Sequence, residues 1–166
     1  MNSLFLDGRA MASPMAFDSS RRNTGVKSTR TFCRIEDKQF AMMETAFSRT
    51  GGLASDNVAA HHLRRHTGQP VSTLAHWIVE RAIVCFPWKS HTLVPMFQFD
   101  PGEMTLRPGA TEILRELVDV FDDWELALWF ARPNAWLNDA TPVDTMAHDQ
   151  PAVHRAARAD RFIARG

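Results

Sequence analysis

The chain of 166 residues has only two cysteines, no net charge and no long apolar run. Cys33 and Cys85 stand far apart without CxxC spacing, which gives neither a disulfide framework nor a cysteine zinc cluster and predicts a reducing compartment. The balance of 19 Lys+Arg against 19 Asp+Glu argues against a protein that coats nucleic acid over its whole surface. No apolar stretch approaches the roughly eighteen residues of a membrane span, so no membrane partner is expected. The opening residues lack the basic start, apolar centre and cleavage site of a signal peptide, and the expected location is cytoplasmic. GxSxG, P-loop and GxGxxG fingerprints are missing. Asp122 with Asp123, or Glu112 with Glu116, could be cast as acid and base, but a helix cap or an outer helical face explains each pair. A protein that is not an enzyme and needs no cofactor is therefore expected.

What is present is unevenly distributed. Residues 1–99 hold 12 Lys+Arg against 7 Asp+Glu, and residues 100–166 hold 7 against 12. Such a split suits a nucleic-acid-facing front and a protein-facing back, although it also arises by chance. The run from Ser19 to Arg30 is polar, basic and without apolar period, which predicts a disordered basic tail over residues 1–35. Order should begin near Glu36, where Phe40, Met43 and Phe47 fall at helical spacing ahead of Gly51-Gly52. Ser55 can cap a second helix with Val58, Ala59, His62 and Leu63 inside. After Gly68-Gln69-Pro70, Ser72 can cap a third whose Leu74, Ala75, Trp77, Ile78 and Ala82 turn inward. Ile83–Phe86 and Leu93–Phe99 read as the strands of a hairpin with a Lys89-Ser90-His91 tip, both edge-like because Pro87 and Pro95 cannot donate ladder hydrogen bonds.

From Pro101 the pattern is helical. Ile113, Leu114, Leu117, Val118 and Phe121 make one apolar face. Asp122 and Glu125 are spaced as a capping box for a helix that Arg132-Pro133 ends. Thr141-Pro142 starts a short helix and Asp149 caps the last. The expected fold class is thus mainly α with a small β-hairpin, in three parts: residues 1–35 as tail, 36–100 as a front domain and 101–166 as a small all-helical domain.

The two helices and hairpin between Ser55 and Phe99 are what a winged helix-turn-helix requires. Gln69, Ser72, Thr73 and His76 would face the major groove, Lys89 and His91 would sit on the wing, and Arg64 and Arg65 could neutralise phosphates. The same helix pair suits an ordinary bundle, and the reading helix has Glu80 and no outward Arg or Lys near its start. In the back, Trp124–Ala131 is apolar on nearly every side. A domain of about sixty residues has little interior to surround such a helix, so some of Trp129, Phe130 and nearby Trp136 should reach an interface, unless flanking helices bury them all. Arg155, Arg158, Arg161 and Arg165 gather with Phe162 on one side of the closing helix, as a solvated stripe or as a probe for an anionic pocket on another protein. His62 and His66 lie one turn apart, but without the glutamate of HExxH or a nameable third ligand no metal site is expected.

Trp129–Leu137, then Thr141-Pro142-Val143-Asp144, then Val153–Ala157 and Arg161–Gly166 together resemble the toxin-binding domain of the Xre/MbcA/ParS-like antitoxins. Upstream, Asp56-Asn57-Val58-Ala59, Trp77-Ile78 and Pro95–Asp100 are similar to the excisionase-type or MerR-type winged helix that some relatives carry. The resemblance implies an antitoxin whose back domain binds and neutralises a RES-type toxin, an NAD-consuming enzyme, and whose front domain binds operator DNA and autoregulates transcription. It also implies that the closing helix, with its arginines and Phe162, reaches the toxin's active-site entrance. Asn138-Asp139 stands where relatives often have glycine. The alternative is a stand-alone DNA-binding regulator that keeps the back domain for homodimerisation.

Overall fold

The order of elements follows local sequence signals closely after the first helix. The computed structural model describes residues 25–166, with side chains from Arg34 onward. Helix α1 spans Gly25–Phe47. The expected tail therefore ends in helix over residues 25–35, and residues 1–24 lie outside the described residues. A 3₁₀ turn, Ser48–Thr50, follows α1, and Gly51 then adopts φ 99°, a left-handed conformation suited to glycine. A side chain there would also collide with Met96, whose Cβ lies 2.8 Å from the position a Cβ would take.

Strand β1, Leu53–Ser55, leads straight into α2, Asp56–Leu63, where the Ser55 hydroxyl accepts from the Val58 N–H at 3.3 Å. Helix α3 spans Pro70–Val79 and is started by Pro70 behind Gln69, not by Ser72. Proline at the first helical position brings the right φ and lacks an N–H that would be orphaned there, so the helix begins three residues early. A hairpin forms, but on other residues than expected: β2 is Phe86–Trp88 in place of Ile83–Phe86, and β3 is His91–Pro95, since Met96–Gln98 turns into a 3₁₀ helix, with Lys89-Ser90 at the tip. β3 is not an edge, because β1 pairs along its other side to give the order β1-β3-β2. Pro95 is tolerated because it closes the strand: the next N–H, from Met96, returns to the Gly52 carbonyl at 2.9 Å. Mainly helical with a small antiparallel sheet, the fold class is as expected at that level.

The back helices are α4, Pro108–Leu117; α5, Asp123–Ala131; α6, Pro142–Thr145; and α7, Gln150–Arg165. The capping box at α5 is complete, with Asp122 accepting from the Glu125 N–H at 2.8 Å and Glu125 from the Asp122 N–H at 2.9 Å. Thr141 and Asp149 cap α6 and α7.

Residues 35–166 make one compact unit. Its larger core runs across the expected boundary at 100/101: Met43, Phe47, Phe86 and Phe97 pack with Ile113, Leu117, Leu126 and Phe130. Phe97 is the link, stacked on Phe47 at 5.5 Å and tilted against Phe130 at 4.8 Å between ring centroids. The smaller core joins α2, α3 and β3 around Ala59, Leu63, Leu74, Val94 and Phe99. Buried Gln98 bridges strand and loop by exchanging hydrogen bonds with both backbone groups of Val84 and donating to the Pro95 carbonyl. Arg81 ties α3 to the back helices, donating to the Val118 and Phe121 carbonyls past the end of α4 and pairing with Asp123 at 3.1 Å.

Candidate functional site

In the front region, α3 carries Gln69 at its cap and Ser72, Thr73 and His76 at offsets of three and four, which places the four on one side of the helix. Gln69, Ser72 and His76 are exposed. Thr73 is half-buried and its hydroxyl donates to the Gln69 carbonyl at 2.9 Å, so its polar group is already engaged. Val58 and His62, expected inside α2, are exposed, whereas Ala59 and Leu63 are buried. A helix of eight residues lying on a small sheet covers a narrow stripe, and Val58 and His62 fall beside it.

The hairpin is anchored to the core. Trp88 stacks on Phe40 at 4.2 Å and on Trp124 at 5.5 Å, and the Trp124 N–H donates to Gln39 at 3.0 Å. Lys89 and His91 remain exposed at the tip, with the Lys89 ammonium 5.6 Å from the Trp88 ring centre. Among the described residues, neither hydrogen bonds nor ion pairs connect the tip to the α3 side chains. Arg64 and Arg65 are exposed and meet no carboxylate there.

The back region departs from expectation at its aromatic residues. Trp129 and Phe130 are sealed in the core, at 1% and 0% exposure, and do not reach a surface. All of Leu126–Ala131 is buried. The back helices alone do not enclose α5; α1 and the segment around Phe97 supply the rest of its shell from within the same chain. Trp136, in contrast, is 58% exposed.

Asp160 organises this region, and sequence reading missed it. Its carboxylate accepts from the Trp129 indole N–H at 2.7 Å, from the Asn134 side-chain amide at 2.7 Å and from the Trp136 indole N–H at 3.0 Å. One acid in α7 thereby fixes α5 and the 3₁₀ turn Ala135–Leu137. The available signal was a lone acid in an arginine-rich helix, facing a segment with two indoles that need acceptors.

The arginine stripe divides. Arg161 pairs with Glu116, which His154 also approaches at 3.5 Å, and Arg165 pairs with Asp119 at 3.3 Å. Arg155 and Arg158 are exposed and meet no carboxylate among the described residues. Offsets of three and four put both in line with Phe162, which is 79% exposed. Ile163, expected on the inner side, is 64% exposed. The last buried residues of the helix are Ala156 and Ala157, so its final turn buries no apolar side chain and meets the body through the Arg165–Asp119 pair.

No group of three or more His, Cys, Asp or Glu side chains among the described residues could hold a metal ion, and His61, His62 and His66 are all exposed. No helix of the described residues is long and apolar enough to cross a membrane. Compared with protein-family models, curated proteins and solved structures, the chain matches none.

Proposed function

We propose that the protein is a cytoplasmic, non-enzymatic antitoxin-like protein that binds and neutralises a RES-type toxin through its closing helix. In this reading α2, α3 and the β2–β3 hairpin act as a winged helix-turn-helix on operator DNA, with Gln69, Ser72 and His76 towards the groove and Lys89 and His91 towards the backbone. The resemblance of the back third to the Xre/MbcA/ParS-like toxin-binding domain motivates it. The observation that carries it is the exposed row of Arg155, Arg158 and Phe162: two cations without a carboxylate partner among the described residues stand in line with an aromatic ring that is 79% exposed. Such a row can enter an anionic, aromatic-accepting pocket on another protein.

The test is co-expression with a RES-type toxin encoded next to this gene. Arg158→Glu and Phe162→Ala should each weaken protection of the cells while leaving the unfolding temperature unchanged, because both side chains lie outside the core. Full protection by both variants would remove the closing helix from the interface.

A second reading, a stand-alone DNA-binding regulator whose back half serves homodimerisation, is favoured by a specific observation. Trp129 and Phe130 are buried and Arg161 and Arg165 are paired internally, so half of the residues assigned to the partner surface are already committed. That reading predicts binding to the gene's own promoter that weakens steeply with added salt, and no effect of any neighbouring toxin.

A further inference from the structure

An open groove of about 660 Å³ lies where β1, α2, the turn after α1 and the start of α4 meet. Its apolar floor is Met96, Phe99 and Met104, and its polar groups include Arg49, Arg107 and His62. No carboxylate lines it. Neither guanidinium has an ion-pair partner among the described residues. Arg49 also borders a second groove that contains Asp144, yet no ion pair joins them.

The backbone on both sides is fixed. The Arg107 N–H donates to the Gln98 carbonyl at 2.9 Å, and Gln98 is itself locked into the core. Arg49 sits in the 3₁₀ turn that Gly51 closes against Met96. The groove also gives the exposed Val58 a surrounding, since that side chain contributes to its wall.

We infer that this groove binds a small organic anion with a planar apolar body and a single carboxylate. Size is the first argument, because grooves of several hundred Å³ enclose ligands of this class. Chemistry is the second: a guanidinium offers paired donors that match a carboxylate, and methionines beside a phenylalanine adapt to a flat ring. Inorganic phosphate would leave the floor unused, and a neutral hydrophobe would leave two cations unanswered. The site is independent of the toxin and DNA reading, as none of the residues assigned to either surface lines it.

The experiment titrates the full chain with 2-naphthoate and, separately, with the neutral alcohol of the same ring system, 2-naphthalenemethanol, by calorimetry. Saturable one-to-one binding of the acid is expected, about tenfold or more tighter than the alcohol, a difference of about 1.4 kcal/mol. Arg49→Gln and Arg107→Gln should each weaken the acid about fivefold or more and leave the alcohol unaffected. Both side chains are exposed, so the variants should fold, which circular dichroism checks. Arg115→Gln, an exposed arginine away from the groove, should bind like the parent. Equal affinity for acid and alcohol, no saturation by about 5 mM acid, or an equal loss in Arg115→Gln would overturn the assignment.

Discussion

The segment from α2 to β3 and the segment from α4 to α7 use their charges in opposite ways. In the back, acids are matched to donors of the same chain: Glu116 holds Arg161, Asp119 holds Arg165, and Asp160 takes two indoles and an amide. In the front, Arg64, Arg65, His76 and His91 are exposed, and the Lys89 ammonium stands beside the Trp88 ring. Three of the twelve acids in residues 100–166 are thereby engaged within the chain, while others, such as Glu103, Glu112 and Asp139, stay exposed. A segment's net charge says which ions it holds, not which are free. Cations free to meet another molecule are reduced to Arg155 and Arg158 along the row on α7, while the front retains a broader set.

The sharpest way to test this contrast is to treat two phenylalanines of the back alike. Phe130→Ala should cost about 3–5 kcal/mol of unfolding free energy, the range for emptying a fully buried aromatic site. Phe162→Ala should stay within about 0.5 kcal/mol. Urea denaturation measures both, and comparable losses would erase the distinction between sealed and presented rings. Next in size is Asp160→Ala, expected to cost about 3 kcal/mol, because it strands the buried Trp129 and Asn134 donors together. Asp160→Asn keeps one acceptor oxygen and should fall between. A red shift of tryptophan emission in Asp160→Ala would report the release of Trp136. An Asp160→Ala protein as stable as the parent would show that the network does not hold the back together.

The smaller front core offers its own test in Cys85, which is 6% exposed. Burial first, and then the Asp123 carboxylate, push its thiol from 9.0 up to about 11, while the Arg81 guanidinium pulls the other way. Above pH 9 the unfolded chain releases this proton and the folded chain retains it, so the folded state binds more protons and loses stability as pH rises. The contribution is intact below pH 9 and is lost through pH 11, by about 3 kcal/mol in all. Cys85→Ala should lack this component, which the difference between the two pH–stability curves isolates. A native thiol that reacts with a disulfide reagent at pH 8 as fast as a free thiol would instead mean that this core admits water.

Legibility in the sequence followed the range of the interaction. Caps at Ser55, Asp122, Thr141 and Asp149 all stand where the chain suggested, because a cap is decided within four residues. The apolar face of α4 was legible for the same reason: Ile113, Leu114 and Leu117 repeat at the helical period. The cap expected at Ser72 failed locally, because Pro70 starts α3 first; the larger failures are at long range. The pairing of β1 with β3 joins residues some forty apart, and three-residue Leu53–Ser55 carries no period to announce it. The α5 pattern did indicate that the back helices could not enclose it, but the sequence does not name the cover, which is α1 and Phe97. Likewise the arginine stripe was visible on α7, whereas its division depends on Glu116 and Asp119 in and just after another helix. At the candidate site, residue types and helical faces were readable, but exposure and partners were not.

A smaller effect concerns a locally strained loop of the back. Asn138 and Asp139 adopt φ values of 55° and 62°, two successive left-handed residues after the turn that carries Trp136. Asparagine and aspartate tolerate this region better than other side chains, yet glycine adopts it without the Cβ contact that opposes it. The conformation is retained because the loop is closed by backbone: the Asp139 N–H donates to the Asn134 carbonyl at 3.1 Å, and the Asn134 N–H donates to the Ala140 carbonyl at 3.0 Å. Asn134 is also the residue whose side chain reaches Asp160, so this small loop holds one end of the carboxylate network. Asn138→Gly should therefore stabilise the protein by about 0.5–1 kcal/mol, the relief of the left-handed conformation less the added freedom of the unfolded chain. Placed in the Asp160→Ala background, the gain should persist, because the loop's own hydrogen bonds do not involve that carboxylate. A gain that vanishes there would mean that Asp160, rather than the loop's backbone, imposes the strained geometry.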